Sequence, residues 1–298
     1  MFVIAFRKIF ASLALVLVLT ALIVLGVFGL KPSIDFTGGT LIEVGAETTS
    51  RETISQNITD VVQAVPSIRP TDDGFIIRTP ELTPAQLSTI ETSVNALGED
   101  THILRVSTVG PTLGDELLRK ALIALLLVAL GIITFVAIAF WRVSKPVSSW
   151  VYGLVTLATL AFDVLMPVGV FVLLGYFLNV EVGALFVVAL LTVLGYSVND
   201  TIVVMDRIRE NLRRNQEAEK EEAFESVVGR SLTQTYARSI NTSLTTILVL
   251  LALFFFGGSQ TEDFALALLV GVAAGAYSSI FFASPLLVMI EKMGKKKA

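Results

Sequence analysis

Six blocks of apolar residues dominate this sequence and restrict what it can fold into. The blocks lie near residues 9–30, 120–141, 148–175, 182–205, 240–257 and 264–290. A helix of about 20 apolar residues crosses the hydrocarbon core of a bilayer, which is roughly 30 Å thick. The chain is also 54% hydrophobic, above the roughly 45–50% that is usual for soluble proteins. The sequence therefore predicts an α-helical polytopic membrane protein with six transmembrane helices.

The first block has one feature of a secretory signal peptide, because Arg7 and Lys8 come directly before it. It is longer than the roughly 7–15 apolar residues of a signal peptide, and no A-x-A cleavage site follows it. We therefore expect residues 1–30 to contain a short N-terminus and a retained first transmembrane helix.

Basic residues are distributed unevenly among the segments that connect the blocks. The connections 176–181 and 257–263 contain none. The basic residues are concentrated in Arg7 and Lys8, in Arg142 and Lys145, in residues 206–238 and in the C-terminal tail. Since short cytoplasmic loops are enriched in Lys and Arg, the bias predicts that both termini are cytoplasmic. It also predicts an extracytoplasmic segment over 31–118, followed by a five-helix transmembrane domain over 119–298.

Residues 206–238 differ from the apolar blocks on either side. They are rich in charge and favour helix, and only a thin stripe of apolar residues, such as Ile208 and Val227, follows them. The pattern fits a helix or helical hairpin that lies on the cytoplasmic face of the membrane. It fits a solvated linker helix equally well.

The 31–118 segment alternates between strand and helix patterns. Strands are predicted at 40–46, 67–69, 74–79 and 102–109, and helices at 49–65 and 83–97. The helix signals are a cap at Thr49 or Ser50 and, for the second helix, Thr83 followed by Pro84. The order β-α-β-β-α-β is that of a ferredoxin-like α+β domain. The segment is therefore predicted to be such a domain between spans 1 and 2.

Three ionisable residues lie in or at the edges of the predicted spans: Asp163 in the third, Asp200 in the fourth and Arg238 at the start of the fifth. A lone charge at mid-bilayer is costly, so such groups usually have a partner and a function. Asp200 precedes the charged segment by six residues, which places it roughly 9 Å inside the membrane boundary. Arg238 has a similar depth, so the two could meet. Asp200 is then either a proton switch or half of a structural ion pair.

Asp163 and Arg238 also have simpler interpretations. A hydrogen-bonded packing role for Asp163 is favoured over a proton-relay role. Arg238 is equally well explained as an anchor at the cytoplasmic edge of the membrane.

Polar residues accompany Asp200 and Arg238 at helical spacing. On the fifth block Arg238, Asn241, Thr242 and Thr245 share one helix face, and Asn199 and Thr201 flank Asp200 on the fourth. Asn199 either orders water for the carboxylate or fixes the helix to a neighbour. A carboxylate with hydroxyls beside it can also bind Na⁺, so the spacing leaves the coupling ion open between H⁺ and Na⁺.

The composition excludes several classes of function. The chain has no cysteine, and its single histidine, His102, lies outside every apolar block. We therefore predict no metal centre and no cofactor. The net charge of −4, without a basic stripe, predicts no nucleic-acid partner.

Four motifs are spread over nearly the whole chain: DFTGGT (35–40), VGPTLGDEL (109–117), GYSVNDTIVVMDRIREN (195–211) and SLTQTYARSINTSLTT (231–246). The first resembles a signature shared by the SecD and SecF proteins of protein export, and the other three resemble motifs of the SecF family. They occur in the order found in that family.

The resemblance implies a function and a set of partners. The family is similar to resistance-nodulation-division transporters, and its members form a heterodimer with SecD. The complex is thought to use the proton-motive force to help pull preproteins out of the SecYEG channel, and YajC is a further implied partner. The resemblance thus implies a non-enzymatic subunit in the cytoplasmic (inner) membrane of a bacterium or archaeon.

The resemblance also implies roles for particular residues. In the family, the Asp of the N-D-T triplet and the Arg of the R-S-x-x-T-S block are implicated in proton transport. These correspond to Asp200 and Arg238 here. Family members often have His before the third-span Asp, whereas this chain has Phe162 before Asp163. That departure removes one titratable group and weakens a relay role for Asp163.

The DFTGGT motif lies where the chain leaves the first block, and a second set of residues lies where it returns to the membrane. Glycine permits backbone angles that other residues avoid. The connections form either a hinge for the 31–118 domain or tight turns that seat it on the membrane. The residues concerned are Asp35, Gly38, Gly39, Gly110, Pro111 and Gly114.

Two other function classes compete with export. One is half of a proton-driven exporter of small molecules or lipids from the same superfamily, which would predict a larger outer domain and a twelve-span chain. The other is an intramembrane aspartyl protease with Asp163 and Asp200 as its dyad. The GYSVND context lacks the G-x-G-D pattern that such proteases resemble.

Overall fold

The computed structural model describes residues 2–46, 49–71, 74–98, 100–139 and 147–297. The chain divides into two compact units. The first unit comprises Met1–Gly29, Ala124–Val172 and Val188–Ala298, and the second comprises Leu30–Ile123 and Leu173–Val187.

Six helices of the described residues are long and apolar enough to span a membrane, with mean hydropathies of 1.8–3.0 in their most apolar stretches. The predicted six-span membrane protein is thereby confirmed. We call these helices spans 1 to 6. Their bounds are Arg7–Phe28, Pro111–Ala139, Ser149–Leu178, Ala184–Glu217, Phe224–Phe256 and, for span 6, Ser259–Tyr277 continued by Ser278–Ala283 and Ser284–Lys297.

Spans 4 and 5 are much longer than their apolar blocks. Span 4 continues through the charged residues to Glu217, and span 5 begins at Phe224. Residues 206–238 are therefore not a separate helix on the membrane surface but the extensions of two spans, joined by a short turn. The charges do not interrupt the helix because pairs such as Arg213–Glu217 lie four residues apart on its exposed side. Arg142 and Lys145 lie outside the described residues.

The second unit contains a four-stranded antiparallel sheet, and we call residues 39–109 the sheet domain. Its strands are β1 (Gly39–Gly45), β2 (Ser67–Thr71), β3 (Gly74–Thr79) and β4 (His102–Val109), in the order β2-β3-β1-β4. Helix α1 (Arg51–Val62) lies between β1 and β2 in the chain, and α2 (Pro84–Asn95) lies between β3 and β4. The predicted ferredoxin-like order is therefore present, and the central strand β1 pairs with both β3 and β4.

The sheet domain has its own core, built from one face of the sheet and the inner faces of the two helices. Ile42, Ile77, Ile54 and Ile90 are fully buried in it. Both helices begin at the caps that the sequence suggests. The Ser50 hydroxyl accepts from Thr53 N, and Thr83 and Gln86 form a capping box before the second helix.

Small residues bring spans of the first unit close together. A side chain at Gly271 of span 6 would overlap Val193 of span 4, and a Cβ at Gly275 would lie 3.1 Å from the Cβ of Ser197. Close backbone approach at small residues is the usual way in which membrane helices associate. Directly after these glycines, residues Ser278–Ala283 of span 6 form a π-helical segment.

Both ends of the first unit's chain meet the extension of span 5. The short helix Phe2–Ala5 contributes Val3 and Ile4 to a core that also contains Phe224, Val228 and Leu287. Arg7 contacts Glu225 at 2.6 Å, and Lys292 contacts the second carboxylate oxygen of Glu225. The two ends of the described chain and the extension of span 5 therefore lie together.

Candidate functional site

The candidate site is a cluster of buried polar side chains in the first unit. Spans 3, 4, 5 and 6 all contribute to it, and each of its members is at most 4% exposed. Polar groups are rarely placed among apolar helices unless they bond to one another or have a function. We call this set the buried polar cluster: Asp163, Ser197, Asp200, Thr201, Ser243, Ser278 and Ser279.

Asp200 lies at the interface of spans 4 and 5. The hydroxyl of Ser243 donates to its Oδ2 at 3.3 Å. The positive charge of Arg238 acts on this carboxylate through space. No salt bridge within 4 Å joins them in the described part of the chain. The sequence predicted that the two groups share a depth, and the structure places them near one another without a direct ion pair.

Asp163 of span 3 is completely buried. The Ser197 hydroxyl donates to its Oδ2, whereas the Ser278 hydroxyl donates to the backbone O of Gly275. The Oδ1 of Asp163 has no hydrogen-bond partner among the described residues. The neighbouring Phe162 packs against Tyr277 and Phe282, so the position before the aspartate is apolar.

Span 4 joins the two carboxylates into one cluster. Ser197, which bonds to Asp163, lies three residues before Asp200 and therefore on the adjacent turn of the same helix. Thr201, the residue directly after Asp200, hydrogen-bonds to Ser279 of span 6 at 3.2 Å. Hydroxyl groups thus lie beside both carboxylates and can accept or donate as the protonation state changes.

The serines of this cluster were not predicted as site residues. Serine is common in membrane helices, where small residues favour close packing, so a single serine carries little signal. A visible signal was the spacing: Ser197 lies three residues before Asp200, and adjacent Ser278 and Ser279 interrupt an apolar run.

The polar face predicted on span 5 points away from the cluster. Asn241 and Thr245 are exposed on the surface of this chain, and the Thr242 hydroxyl bonds back to Arg238 O. Asn199 of span 4 is exposed as well, whereas Thr201 is buried. Helical spacing shows which residues share a face, but it does not show which face the rest of the protein covers.

A cavity of about 280 Å³ lies beside Arg238 between the extensions of spans 4 and 5. Its lining is mostly polar and charged. Asp206, Arg207, Glu210, Gln234 and Arg238 are among the residues that line it. The Arg207 side chain is held by Glu210 and Gln234, whereas Arg238 has no salt-bridge partner within the part of the chain described. Arg238 therefore lines a polar cavity and also acts on Asp200 through space.

The glycines around the sheet domain lie in tight contacts. Gly38 has φ 72°, and a Cβ there would lie 2.7 Å from the Cα of Pro111. A Cβ at Gly39, with φ 133°, would lie 2.6 Å from Thr79 O. A Cβ at Gly114 would lie 2.9 Å from Phe36 O, while Gly110 has open space around it. These contacts favour the seating interpretation over the hinge, because little room remains for the backbone to rotate.

The cluster is chemically suited to exchanging a proton or binding a small cation. A carboxylate buried without a direct counter-ion is strongly penalised when it is charged. Protonation removes that penalty, and the hydroxyls around it can rearrange to either state. The arrangement can therefore bind and release one positive charge inside a membrane domain.

Comparisons with known families match nearly the whole chain. Residues 89–293 match the family described as protein export membrane protein SecD/SecF, C-terminal, and residues 23–50 match the SecD/SecF GG motif. The chain is 40% identical to protein translocase subunit SecF of Thermobaculum terrenum, covering 97% of this chain and 93% of that one. It is 37% identical to SecF of Synechocystis sp., covering 86% of this chain and 81% of that one.

Two solved structures of SecDF are also similar to this chain. The crystal structure of SecDF from Thermus thermophilus, a translocon-associated membrane protein, has a TM-score of 0.84 and 34% identity. A crystal structure of SecDF in a super-membrane-facing form has a TM-score of 0.70 and 35% identity. The match covers 97% and 99% of this chain, respectively, and this chain spans 38% and 39% of the length of those chains.

Proposed function

Because this chain belongs to the SecD/SecF family of protein-export membrane proteins, we propose that it is an accessory subunit of the Sec translocase. In this proposal it pairs with SecD and uses the proton-motive force to promote export of preproteins across the cytoplasmic membrane. The observation that carries the proposal is the buried polar cluster around Asp200, since export driven by an ion gradient requires a group that binds the ion inside the membrane.

Asp200 is the proton carrier in this proposal. Its carboxylate is buried, accepts only one weak hydrogen bond from Ser243, and has no direct counter-ion in the described chain. Arg238 tunes the carboxylate from a distance, so protonation of Asp200 does not have to break a salt bridge. The cavity lined by Arg238 and by Val203, which follows Asp200 by three residues, supports access of water to this part of spans 4 and 5.

Asp163 and Asn199 are assigned secondary roles. The Oδ1 of Asp163, which has no hydrogen-bond partner among the described residues, supports a second proton-accepting group, while the bond to Ser197 supports packing. Asn199 is exposed on this chain and therefore lies where a neighbouring subunit can reach it. We assign it to contact with that subunit and not to water beside Asp200.

The proposed orientation has both termini in the cytoplasm and residues 31–118 outside. Basic residues near both termini support it under the positive-inside rule. The contacts of Glu225 with Arg7 and Lys292 also support it, because both ends of the chain then face one side together with the extension of span 5.

A non-enzymatic role fits the cluster better than proteolysis. An aspartyl protease needs two carboxylates close enough to share a proton. Here Asp163 bonds to Ser197, whereas Asp200 bonds to Ser243. The relatives are also named as translocase subunits.

The proposed partners are SecD, the SecYEG channel with its translocating preprotein, and YajC. The exposed polar face of span 5, with Asn241 and Thr245, supports a protein neighbour within the membrane, because polar side chains facing lipid are unfavourable.

Substitution of Asp200 by Asn tests the proposed function. The change removes the proton-binding group and keeps the size of the side chain. We expect D200N to abolish the stimulation of preprotein export by a proton gradient in membrane vesicles. Assembly with SecD should be retained. D60N, at an exposed position of α1, is the matched control and should export normally. Normal gradient-driven export by D200N would refute Asp200 as the carrier.

The coupling ion is tested in the same vesicles by imposing a proton gradient or a sodium gradient separately. Stimulation by the proton gradient alone supports the proposal. Stimulation by the sodium gradient alone would replace the proton with Na⁺ at the same carboxylate.

A further inference from the structure

Asp35 of the DFTGGT motif contacts a part of the chain far away in sequence. Its Oδ2 accepts a hydrogen bond of 2.8 Å from the backbone N–H of Ala184. Ala184 is the first residue of span 4. The first N–H groups of a helix lack partners within the helix, and negative charge is favourable at that end. The carboxylate of Asp35 therefore caps span 4 across 149 residues.

The residue before span 4 is shaped to accept this carboxylate. Gly183 has no side chain, and a Cβ there would overlap Asp35 Oδ2 and lie 2.8 Å from Ser33 Oγ. Ser33 in turn fixes the Asp35 backbone, because its hydroxyl accepts from Asp35 N at 3.2 Å. Only glycine at position 183 lets the cap approach so closely.

Two further attachments lie beside the cap. The backbone N–H of Ser33 donates to Val182 O at 2.9 Å, and Val182 N donates to Lys31 O at 2.8 Å. Arg78 of β3 contacts Glu181 at 2.8 Å, with both side chains only 12% exposed. The connection from span 3 to span 4 is thus fixed to the sheet domain and to the chain that leads into it, and all these residues belong to the second unit.

Span 4 is a single helix that carries both the capped end and Asp200. It runs without interruption from Ala184 to Glu217. Asp200 therefore lies sixteen residues along the same helix, at a distance of about 24 Å. An α-helix is stiff along its axis, so a displacement of its first turn reaches Asp200.

We propose that Asp35 is a positioning residue for proton coupling, which locks the first turn of span 4 to the segment that leads into the sheet domain so that span 4 and the sheet domain move together. The inference rests on the proposed function, because it gives Asp35 a task in relation to Asp200. Loading or release of a proton at Asp200 is then transmitted to the sheet domain along span 4, and force on the sheet domain reaches Asp200 by the same path.

The attachment itself is tested by distance measurement in the full-length chain. The protein has no cysteine, so V65C and L185C can be introduced and spin-labelled specifically. Val65 is an exposed residue after α1, and Leu185 is an exposed residue of the first turn of span 4. We expect one narrow distance distribution in the otherwise unchanged protein. D35A and G183A should broaden it, and D60A should leave it unchanged.

The positioning role is tested by export in vesicles with the same variants. D35A should lower proton-driven stimulation by about five- to tenfold and shift its pH profile, while export without a gradient stays unchanged. A merely structural residue would change abundance or thermal stability but not the pH profile. D35N keeps an acceptor oxygen, so it should retain more stimulation than D35A. G183A, in which Asp35 is intact but displaced, should behave like D35A.

The outcomes separate this inference from the proposed function. An unchanged distance distribution in D35A would overturn the attachment. A broadened distribution with normal proton-driven export would overturn the positioning role while the proposed function stands. If the unaltered chain shows no gradient-dependent export, the proposed function fails and the positioning role fails with it. The distance measurement would then still decide whether the attachment exists.

Discussion

At the scale of single residues, Glu181 shows how a short contact can coexist with an unfavourable environment. It lies 2.8 Å from Arg78 in the connection between spans 3 and 4. Burial raises the pKa of Glu181 above its ordinary value of 4.5, and the nearby positive charge of Arg78 only partly opposes this. Desolvation of a buried ion pair commonly outweighs the attraction between its charges. The contact therefore fixes geometry more than it adds stability.

A pH dependence follows from the raised pKa. The folded protein favours protonated Glu181, so its contribution is complete below about pH 4.5 and is lost as pH rises through the raised pKa. We expect E181Q, which imitates the neutral form, to flatten the decline in melting temperature of the second unit across this range. E91Q, at an exposed position of α2, is the control. The same slope in E181Q and the unaltered protein would contradict the prediction.

The sequence identified the ionisable residues whose burial in the membrane is costly, but not the residues that hydrogen-bond to them. Asp163, Asp200 and Arg238 stood out because charge is rare in apolar blocks. The hydroxyls that bond to the two aspartates come from Ser197 and Ser243. Hydrogen bonds between helices depend on how each helix is rotated about its axis, which residue spacing within one helix cannot fix. The bond from Ala184 to Asp35 was hidden for the same reason.

At the scale of helices and strands, the pairing of spans 4 and 6 depends on glycine. Gly271 lies against Val193, a β-branched residue with little freedom to move. One turn later Gly275 faces Ser197, which bonds to Asp163. The tight packing of these two helices therefore also sets the geometry of the buried polar cluster.

We expect G271A to destabilise the purified chain by roughly 1–3 kcal/mol, because the added methyl group overlaps Val193. G195A on span 4 is the matched control. No atom lies within 4 Å of a Cβ built at Gly195, and alanine favours helix over glycine. Thermal unfolding in detergent measures both variants. Equal stability of G271A and G195A would show that the helices can move apart at no cost.

The extent of each element was predictable only where one signal dominated. β3 and β4 match their predicted ranges, 74–79 and 102–109, because strand-favouring residues are bounded by clear turns. Span 4 was expected to end, and span 5 to begin, near the membrane boundary. They continue because the charged extensions are rich in good helix formers such as Arg, Glu and Leu, and because they still bury Ile208 and Val228.

At the scale of the molecule, Glu225 connects three segments of the first unit that are distant in sequence. It contacts Arg7 at the start of span 1 and Lys292 near the end of span 6, and it lies in the first turn of span 5. Its side chain is 34% exposed, and that of Arg7 is 19% exposed. The contacts are partly shielded from water, so they contribute more than pairs at the open surface.

We expect E225A to lower the stability of the first unit by about 1–2 kcal/mol, because two charge-assisted contacts are lost. E217A removes the partner of Arg213, where both side chains are more than 60% exposed. It should lower stability much less than E225A does, because water screens a fully exposed pair. Denaturant titration of each purified variant measures the difference. A cost for E225A no larger than that for E217A would contradict the prediction.

The π-helical segment Ser278–Ala283 is a local irregularity that can change its position within span 6. Its backbone bonds from i to i+5, so this stretch holds one residue more than an α-helix would. Such a segment can shift along a helix by exchanging one backbone hydrogen bond at a time. A shift of this surplus residue along span 6 would rotate Ser278 and Ser279 towards or away from span 4 without unwinding the helix.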